Sequence, residues 1–175
     1  VPLSQIDRAG RILLISAVGG LLAEVEKHRP AHVDYVELDP AMSAVLFSYG
    51  LVRPIPGLEV VNEDGRRWLR RTDRTYDAII VNIREPETFQ TNRFFTDRFF
   101  ALAKSRLSPG GILSFSMEGF GSYLAEPQRL KLSILRATAG RHFSNVVLLP
   151  GQGTMFLCRD LPIDTRIPAR LRVKF

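Results

Sequence analysis

Apolar residues along this chain fall into two patterns. In the first they run on without alternation, as in Arg11 to Ser16 and Tyr76 to Asn82. Such runs suit parallel strands covered on both faces, because neither face meets water. His32 to Glu37, Leu58 to Asn62 and Ile112 to Met117 are further strand-like runs. In the second pattern, apolar residues recur at helical spacing among charges, in Leu21 to His28, Ala41 to Tyr49, Asp64 to Arg71, Thr96 to Leu107 and Pro127 to Gly140. Gly50 closes the second of these helices, and Ser108-Pro109-Gly110-Gly111 is the expected stop for the fourth. Ile83 to Arg93 is too polar and irregular for an element. Asn145 to Leu149 and Thr154 to Arg159 flank Pro150-Gly151-Gln152-Gly153 and predict an antiparallel hairpin. The basic stretch from Leu161 to Phe175, with two prolines, receives no assignment.

Strands alternating with helices imply an α/β domain over residues 1–160, Rossmann-like and doubly wound. Its sheet is mainly parallel and seven-stranded, with the antiparallel hairpin at the C-terminal end. Ligands of such sheets bind beyond the carboxyl ends of the strands. Four segments converge there: Ser16 to Gly20, Glu37 to Asp39, Asn62 to Gly65, and Asn82 to Pro86. Ser16, Gly19 and Gly20 form a turn of small residues between the first strand and its helix, which lets backbone approach a ligand closely. Glu37 ends the second strand roughly 20 residues past that turn, where a doubly wound fold holds a ribose diol. Asp39 follows it. Each residue also has a plainer use: the glycines a tight turn, Asp64 a helix N-cap, Asn82 a strand-end cap, and Glu85 an exposed loop acid.

Composition narrows the field. The 175 residues suit one domain, and 45% hydrophobic content is ordinary for a globular chain. A single cysteine, Cys158, and three scattered histidines point to a reducing, cytoplasmic setting without a structural metal. No apolar run is long enough to span a bilayer, and Val1-Pro2-Leu3-Ser4 does not read as a signal peptide. The formal charge of +6 is concentrated in Arg66, Arg67, Arg70, Arg71 and Arg74. Without interleaved aromatics, that cluster reads as a solvated helix face, and nucleic acid is not an expected partner.

The glycine turn, Val36-Glu37-Leu38-Asp39-Pro40, Asp64-Gly65-Arg66, Tyr76-Asp77-Ala78-Ile79-Ile80-Val81 and Leu107-Ser108-Pro109-Gly110-Gly111 together resemble the spermidine synthases. These are aminopropyltransferases on the class I S-adenosylmethionine-dependent methyltransferase fold. Asn92 to Phe100, Pro150-Gly151 and Phe156-Leu157 are most similar to the bacterial members often fused to transmembrane segments. The resemblance implies that Glu37 holds the ribose hydroxyls of S-adenosylmethionine or its decarboxylated form, acting as co-substrate. It implies that Asp64 faces the adenine amino group with Gly65 close by, and that an amine such as a polyamine is the acceptor. It also allows a homodimer, and a soluble domain within a membrane-associated protein.

One departure bears on the chemistry. Where working aminopropyltransferases end the fourth strand in aspartate, followed by another aspartate and a proline, this chain has Asn82, Glu85 and Pro86. A protonated amine needs a carboxylate to take its proton before it attacks the carbon beside a sulfonium. Asn82 cannot serve as that base, so Glu85 is the expected substitute. Two alternatives stay open: a nucleoside-binding domain that has lost transfer chemistry, and a methyltransferase.

Overall fold

The computed structural model describes residues 1–16, 20–83, 85–118 and 123–174. A seven-stranded sheet runs in the order β3-β2-β1-β4-β5-β7-β6. Its strands are β1 (Arg11–Ile15), β2 (His32–Glu37), β3 (Leu58–Asn62), β4 (Tyr76–Val81), β5 (Leu107–Glu118), β6 (Asn145–Leu149) and β7 (Gly153–Arg159). β1 to β5 pair in parallel, while β7 runs antiparallel to both β5 and β6. This is the sheet the sequence predicts, and the chain order reverses between β1 and β4. That switch point is where an open parallel sheet leaves a crevice.

The two faces are buried by different residues. On one, Leu13, Ile15, Val36, Ile79, Val81, Leu113 and Phe115 meet the helices α3 (Gly65–Arg71), α5 (Asp97–Ser105) and α6 (Glu126–Gly140). Aromatic rings fill this side: Phe115 stacks on Phe156 at 4.5 Å and on Phe100 at 5.5 Å. On the other, Ile12, Leu14, Val33, Tyr35, Ile80 and Ile112 pack with α1 (Leu21–Glu26) and α2 (Pro40–Ser48). The alternation of inward neighbours along β1 and β4 explains why those runs are continuously apolar.

Two local expectations are corrected, and the unassigned tail is placed. Ser108-Pro109-Gly110-Gly111 does not stop the chain but lies within β5. The pairing with β4 jumps from Tyr76↔Leu107 to Ala78↔Ile112, so the extra residues bulge. Glycine is needed there, since a Cβ on Gly111 would lie 2.9 Å from the Tyr76 carbonyl oxygen. Ile83 to Arg93 is not wholly irregular, for α4 (Phe89–Asn92) is nucleated by a Thr88–Thr91 capping box and runs into a 3-10 turn at Arg93–Phe95. The basic tail forms α7 (Ile167–Lys174), which packs against an N-terminal 3-10 turn at Pro2–Gln5. Gln5 clamps the tail by exchanging side-chain hydrogen bonds with the Asp164 backbone, at 2.9 and 3.0 Å. Among the described residues, no helix is long and apolar enough to cross a membrane.

Candidate nucleoside site

Glu37 closes β2 and is only 8% exposed. It shares a face with Tyr35, whose hydroxyl donates to Oε2 at 3.3 Å, and the Asp39 amide reaches Oε1 at 3.4 Å. Asn62, ending β3, donates to the Glu37 carbonyl at 3.3 Å and to Ser43 Oγ at 2.8 Å, which fixes the strand ends and α2 to one another. Asp39 itself points away as the N-cap of α2, accepting from the Ala41 amide at 2.8 Å. Exposed, and absent from the lining of the cleft described below, it contributes the turn.

The end of β1 is strained. Ser16 adopts φ 62, a left-handed conformation uncommon for a residue with a side chain, while its amide still donates to the Val36 carbonyl at 3.0 Å. Gly20, at φ 80, precedes α1, and an αL value there is what glycine permits without cost from a Cβ. Gly19 lies outside the described residues.

Asp64 is the helix N-cap the sequence allowed, and it also holds an arginine. Its Oδ1 caps α3 by accepting the Arg67 amide at 3.0 Å, and its Oδ2 is held by the guanidinium of Arg93. Arg93 is a residue the sequence reading passed over, because the segment carrying it looked structureless. It is fixed in turn by donating from Nε to the Gln90 carbonyl at 2.9 Å and by lying 5.4 Å from the Phe94 ring centroid. Gly65 is buried against Ile15, where a Cβ would come within 2.7 Å of Cγ2.

These elements enclose a cleft of about 170 Å³ lined by Ile15, Ser16, Val36, Glu37, Leu38, Glu63, Asp64, Gly65, Ile83, Gln90, Thr91, Arg93 and Phe94. Apolar walls with acids at two ends suit a flat heteroaromatic group joined to a diol: a carboxylate can accept two hydroxyls, and another an exocyclic amine. Beside it, a depression of about 150 Å³ is lined by Val81, Asn82, Ile83, Ser116, Met117 and Glu118. Ile83 is common to both.

Asn82 borders that second depression, and its amide donates to the Ile15 carbonyl at 2.9 Å. Glu85 is not an exposed loop acid, being only 8% exposed. Its Oε1 accepts the Glu118 amide at 2.8 Å and its Oε2 is paired with Lys131 of α6, so it braces the end of β5. Glu118 is exposed, lines the depression beside Asn82, and has no side-chain partner among the described residues. Arg84, between these groups in the chain, lies outside the described residues.

One histidine joins a cluster of acids that the sequence spacing does not reveal. His32, Asp34 and Glu59 bring one ligand atom each within 4.8 Å of the others at the amino end of the sheet. Arg74 already fills that position, bonding Asp34 at 2.6 Å and Glu59 at 2.7 Å through Nη1. Tyr76 completes the network by donating to Asp34 Oδ2 at 2.7 Å while accepting from the Trp68 indole at 2.9 Å. Burial, then the bond to Asp34, pushes the Tyr76 hydroxyl well above its ordinary range. This group is an ion-pair cluster closing the sheet, far from its carboxyl ends.

A larger hollow of about 370 Å³ lies between the N-terminal turn, α1 and α7. Its walls are mostly aliphatic, including Leu3, Leu21, Val25 and Leu171, and it lacks the acids that converge on the nucleoside cleft.

Comparison with known proteins bears on the fold and the family. The spermine/spermidine synthase domain model matches residues 1–121. Polyamine aminopropyltransferase 1 of Streptomyces coelicolor is 32% identical over 109 residues, 57% of this chain and 20% of that protein. The polyamine aminopropyltransferase of Korarchaeum cryptofilum is 28% identical over 148 residues, 80% of this chain and 45% of its own. The chain thus spans less than half the length of these curated relatives. Among solved structures, a spermidine synthase in complex with the transition-state analogue AdoDATO superposes with a TM-score of 0.76 at 21% identity, covering 98% of this chain and 62% of that one. Human methyltransferase-like protein 13 in complex with SAH gives 0.72 at 18% identity, covering 99% and 82%. The structural likenesses establish the class I methyltransferase fold. With the family model spanning well over half of its residues, this chain belongs to the spermine/spermidine synthase family.

Proposed function

We propose that this chain binds an S-adenosylmethionine-type nucleoside, decarboxylated in the reactive case, and transfers its aminopropyl group to an amine. The observation that carries the reading is the pair of depressions joined at Ile83, one edged by Glu37 and Asp64 and the other by Asn82 and Glu118. In the first, Glu37 accepts the ribose hydroxyls. Asp64 accepts the adenine amino group, sharing its carboxylate with Arg93, while the turn after β1, where Ser16 and Gly20 lie, runs beside the methionine-derived chain. The AdoDATO and SAH complexes of the structural neighbours support a nucleoside of this class.

In the second depression the amine lies against Asn82 and Glu118. Its nitrogen lone pair forms the new C–N bond as the C–S bond breaks. The sulfur keeps the bonding electrons and leaves as a neutral thioether. The proton lost by the amine passes to a carboxylate. Glu118 is favoured for that step because both oxygens of Glu85 are already engaged, whereas Glu118 faces the open depression. Glu85 serves as the base only by exchanging Lys131 for the amine. The same engagement of Glu85, with Asn82 at the strand end, favours a second reading in which nucleoside is bound without transfer.

Calorimetric titration with methylthioadenosine tests the shared step. Wild type binds, while Glu37→Gln and Asp64→Asn each weaken binding by about 10- to 100-fold, the worth of a hydrogen bond to a charged acceptor. Absence of binding to wild type sinks both readings. Product formation from decarboxylated S-adenosylmethionine and a diamine panel, lost in Glu118→Gln, separates the first from the second.

A further inference from the structure

The five arginines of the α3 region do not act alike. Arg67 and Arg71 are paired with Glu63, and Arg74 with Asp34 and Glu59. Arg66 and Arg70 have no acidic partner among the described residues, nor does Arg98 on the neighbouring α5. One turn apart on α3, Arg66 and Arg70 lie on the same helix face. α3 packs against α5, and Arg93 joins them through Asp64, the N-cap of α3. The Nε of Arg66 is buried with no acceptor, an orphaned donor of the kind native structures rarely leave. Burial first, and then the charges of Arg70, Arg93 and Arg98, hold the Arg66 guanidinium below its ordinary range, with Asp64 opposing them.

We propose that Arg66, Arg70, Arg93 and Arg98 form an anion site on the α3–α5 edge that takes a phosphate-type oxyanion carried by a small molecule. Guanidinium forks match the oxygen geometry of phosphate, and several of them around one point give both charge and direction. An anion there also offsets the like charges gathered around Arg66. The patch is confined: Arg67 and Arg71, which would extend it along α3, share the single carboxylate of Glu63, which offsets one of their two charges and weakens the track a polymer would need. Arg93 belongs to this site and to the nucleoside cleft at once, placing the anion at the cleft's edge. The proposal goes beyond the nucleoside reading and does not depend on it.

Pyrophosphate titrated calorimetrically into the full chain at low ionic strength is the test. Saturable binding of one equivalent is expected, weakening as salt rises. Arg70→Gln combined with Arg98→Gln, both exposed and outside the nucleoside cleft, lowers affinity by roughly tenfold or more, while Arg67→Gln combined with Arg71→Gln changes it by less than about twofold. Circular dichroism of each variant confirms folding. No saturable binding by wild type overturns the proposal, as does equal weakening in the two double variants, which indicates only a diffuse positive field. Methylthioadenosine titrated in parallel reports on the nucleoside cleft alone, so either result stands without the other.

Discussion

Replacing Gly65 by alanine tests the joint between fold and site. A Cβ there would sit 2.7 Å from Ile15 Cγ2, with Cδ1 at 3.1 Å and Cγ1 at 3.3 Å. Ordinary contact begins at 3.4 Å, so one of the two elements moves by about 0.7 Å. Ile15 has little room to yield: it is 3% exposed, β-branched, and held in register between Val36 and Val81. Overpacking of this kind costs about 1–3 kcal/mol, and the gain in helix propensity returns about 1 kcal/mol at most. A net loss near 1–2 kcal/mol lowers the melting temperature of a chain this size by about 2–8 °C. Since Asp64 precedes the substituted residue, the same displacement moves the proposed adenine acceptor, and methylthioadenosine is expected to bind roughly tenfold more weakly. Scanning calorimetry and titration read the two effects separately. Gly140→Ala is the control, because a Cβ at Gly140 meets nothing within 4 Å. Unchanged melting and unchanged affinity in Gly65→Ala would refute the packing of α3 on β1 and the site built on it.

Two further substitutions separate structural charges from functional ones. Lys131→Met leaves the buried Glu85 without its cation. Breaking a fully buried pair costs about 3–5 kcal/mol, but solvent reaching Lys131, 35% exposed, reduces this to about 1–2 kcal/mol. Thermal melting falls accordingly while methylthioadenosine affinity holds, and a loss of affinity instead would tie Lys131 to the nucleoside cleft. Tyr76→Phe removes the donor to Asp34 and the acceptor of the Trp68 indole, destabilising by about 2–4 kcal/mol. Its pH dependence has a definite sign. The folded Tyr76 hydroxyl is raised above its ordinary 10.0, so its contribution is complete below pH 10 and is lost as pH rises beyond it. The stability gap between wild type and Tyr76→Phe therefore narrows above about pH 10, and denaturant melts from pH 7 to 11 showing a constant gap would contradict the assignment.

The sheet was legible because its strands are unmistakable at the level of single residues. Ile12 to Ile15 and Ala78 to Val81 are apolar without a break, as suits a strand covered on both faces. That Glu37 and Asp64 would line one cleft was legible because a strand end and a helix start are positions, and position in a doubly wound sheet implies neighbourhood. Arg93 was not. Its role comes from a contact 29 residues away, and the short helix that aims it is set by a capping box between two threonines rather than by an apolar stripe. The misreading of Pro109-Gly110-Gly111 has a similar origin: the residues that break a helix also make a bulge, and only the partner strand decides between them. Glu85 misled for a different reason, since an acid in a polar loop gives no sign that a lysine from α6 will cover it.

β2 shows how position rather than residue type separates the two kinds of acid. Asp34 and Glu37 lie in one strand, three residues apart, and both are buried. Asp34 sits where β2 still has neighbours on both sides, so its charge must be met within the protein, and Arg74, Tyr76 and His32 meet it. Glu37 sits where β1, β2 and β3 end together, and its protein partners are weaker: a tyrosine hydroxyl at 3.3 Å and an amide at 3.4 Å. A buried carboxylate with only long hydrogen bonds retains capacity for two stronger ones, which a ribose diol supplies in a single group. The same logic distinguishes Glu85 from Glu118 at the end of β5. One is fully engaged by Lys131 and backbone, the other opens onto the depression beside Asn82. Acids satisfied by the protein hold the sheet together, and those left partly satisfied at its carboxyl edge are the ones available to a ligand.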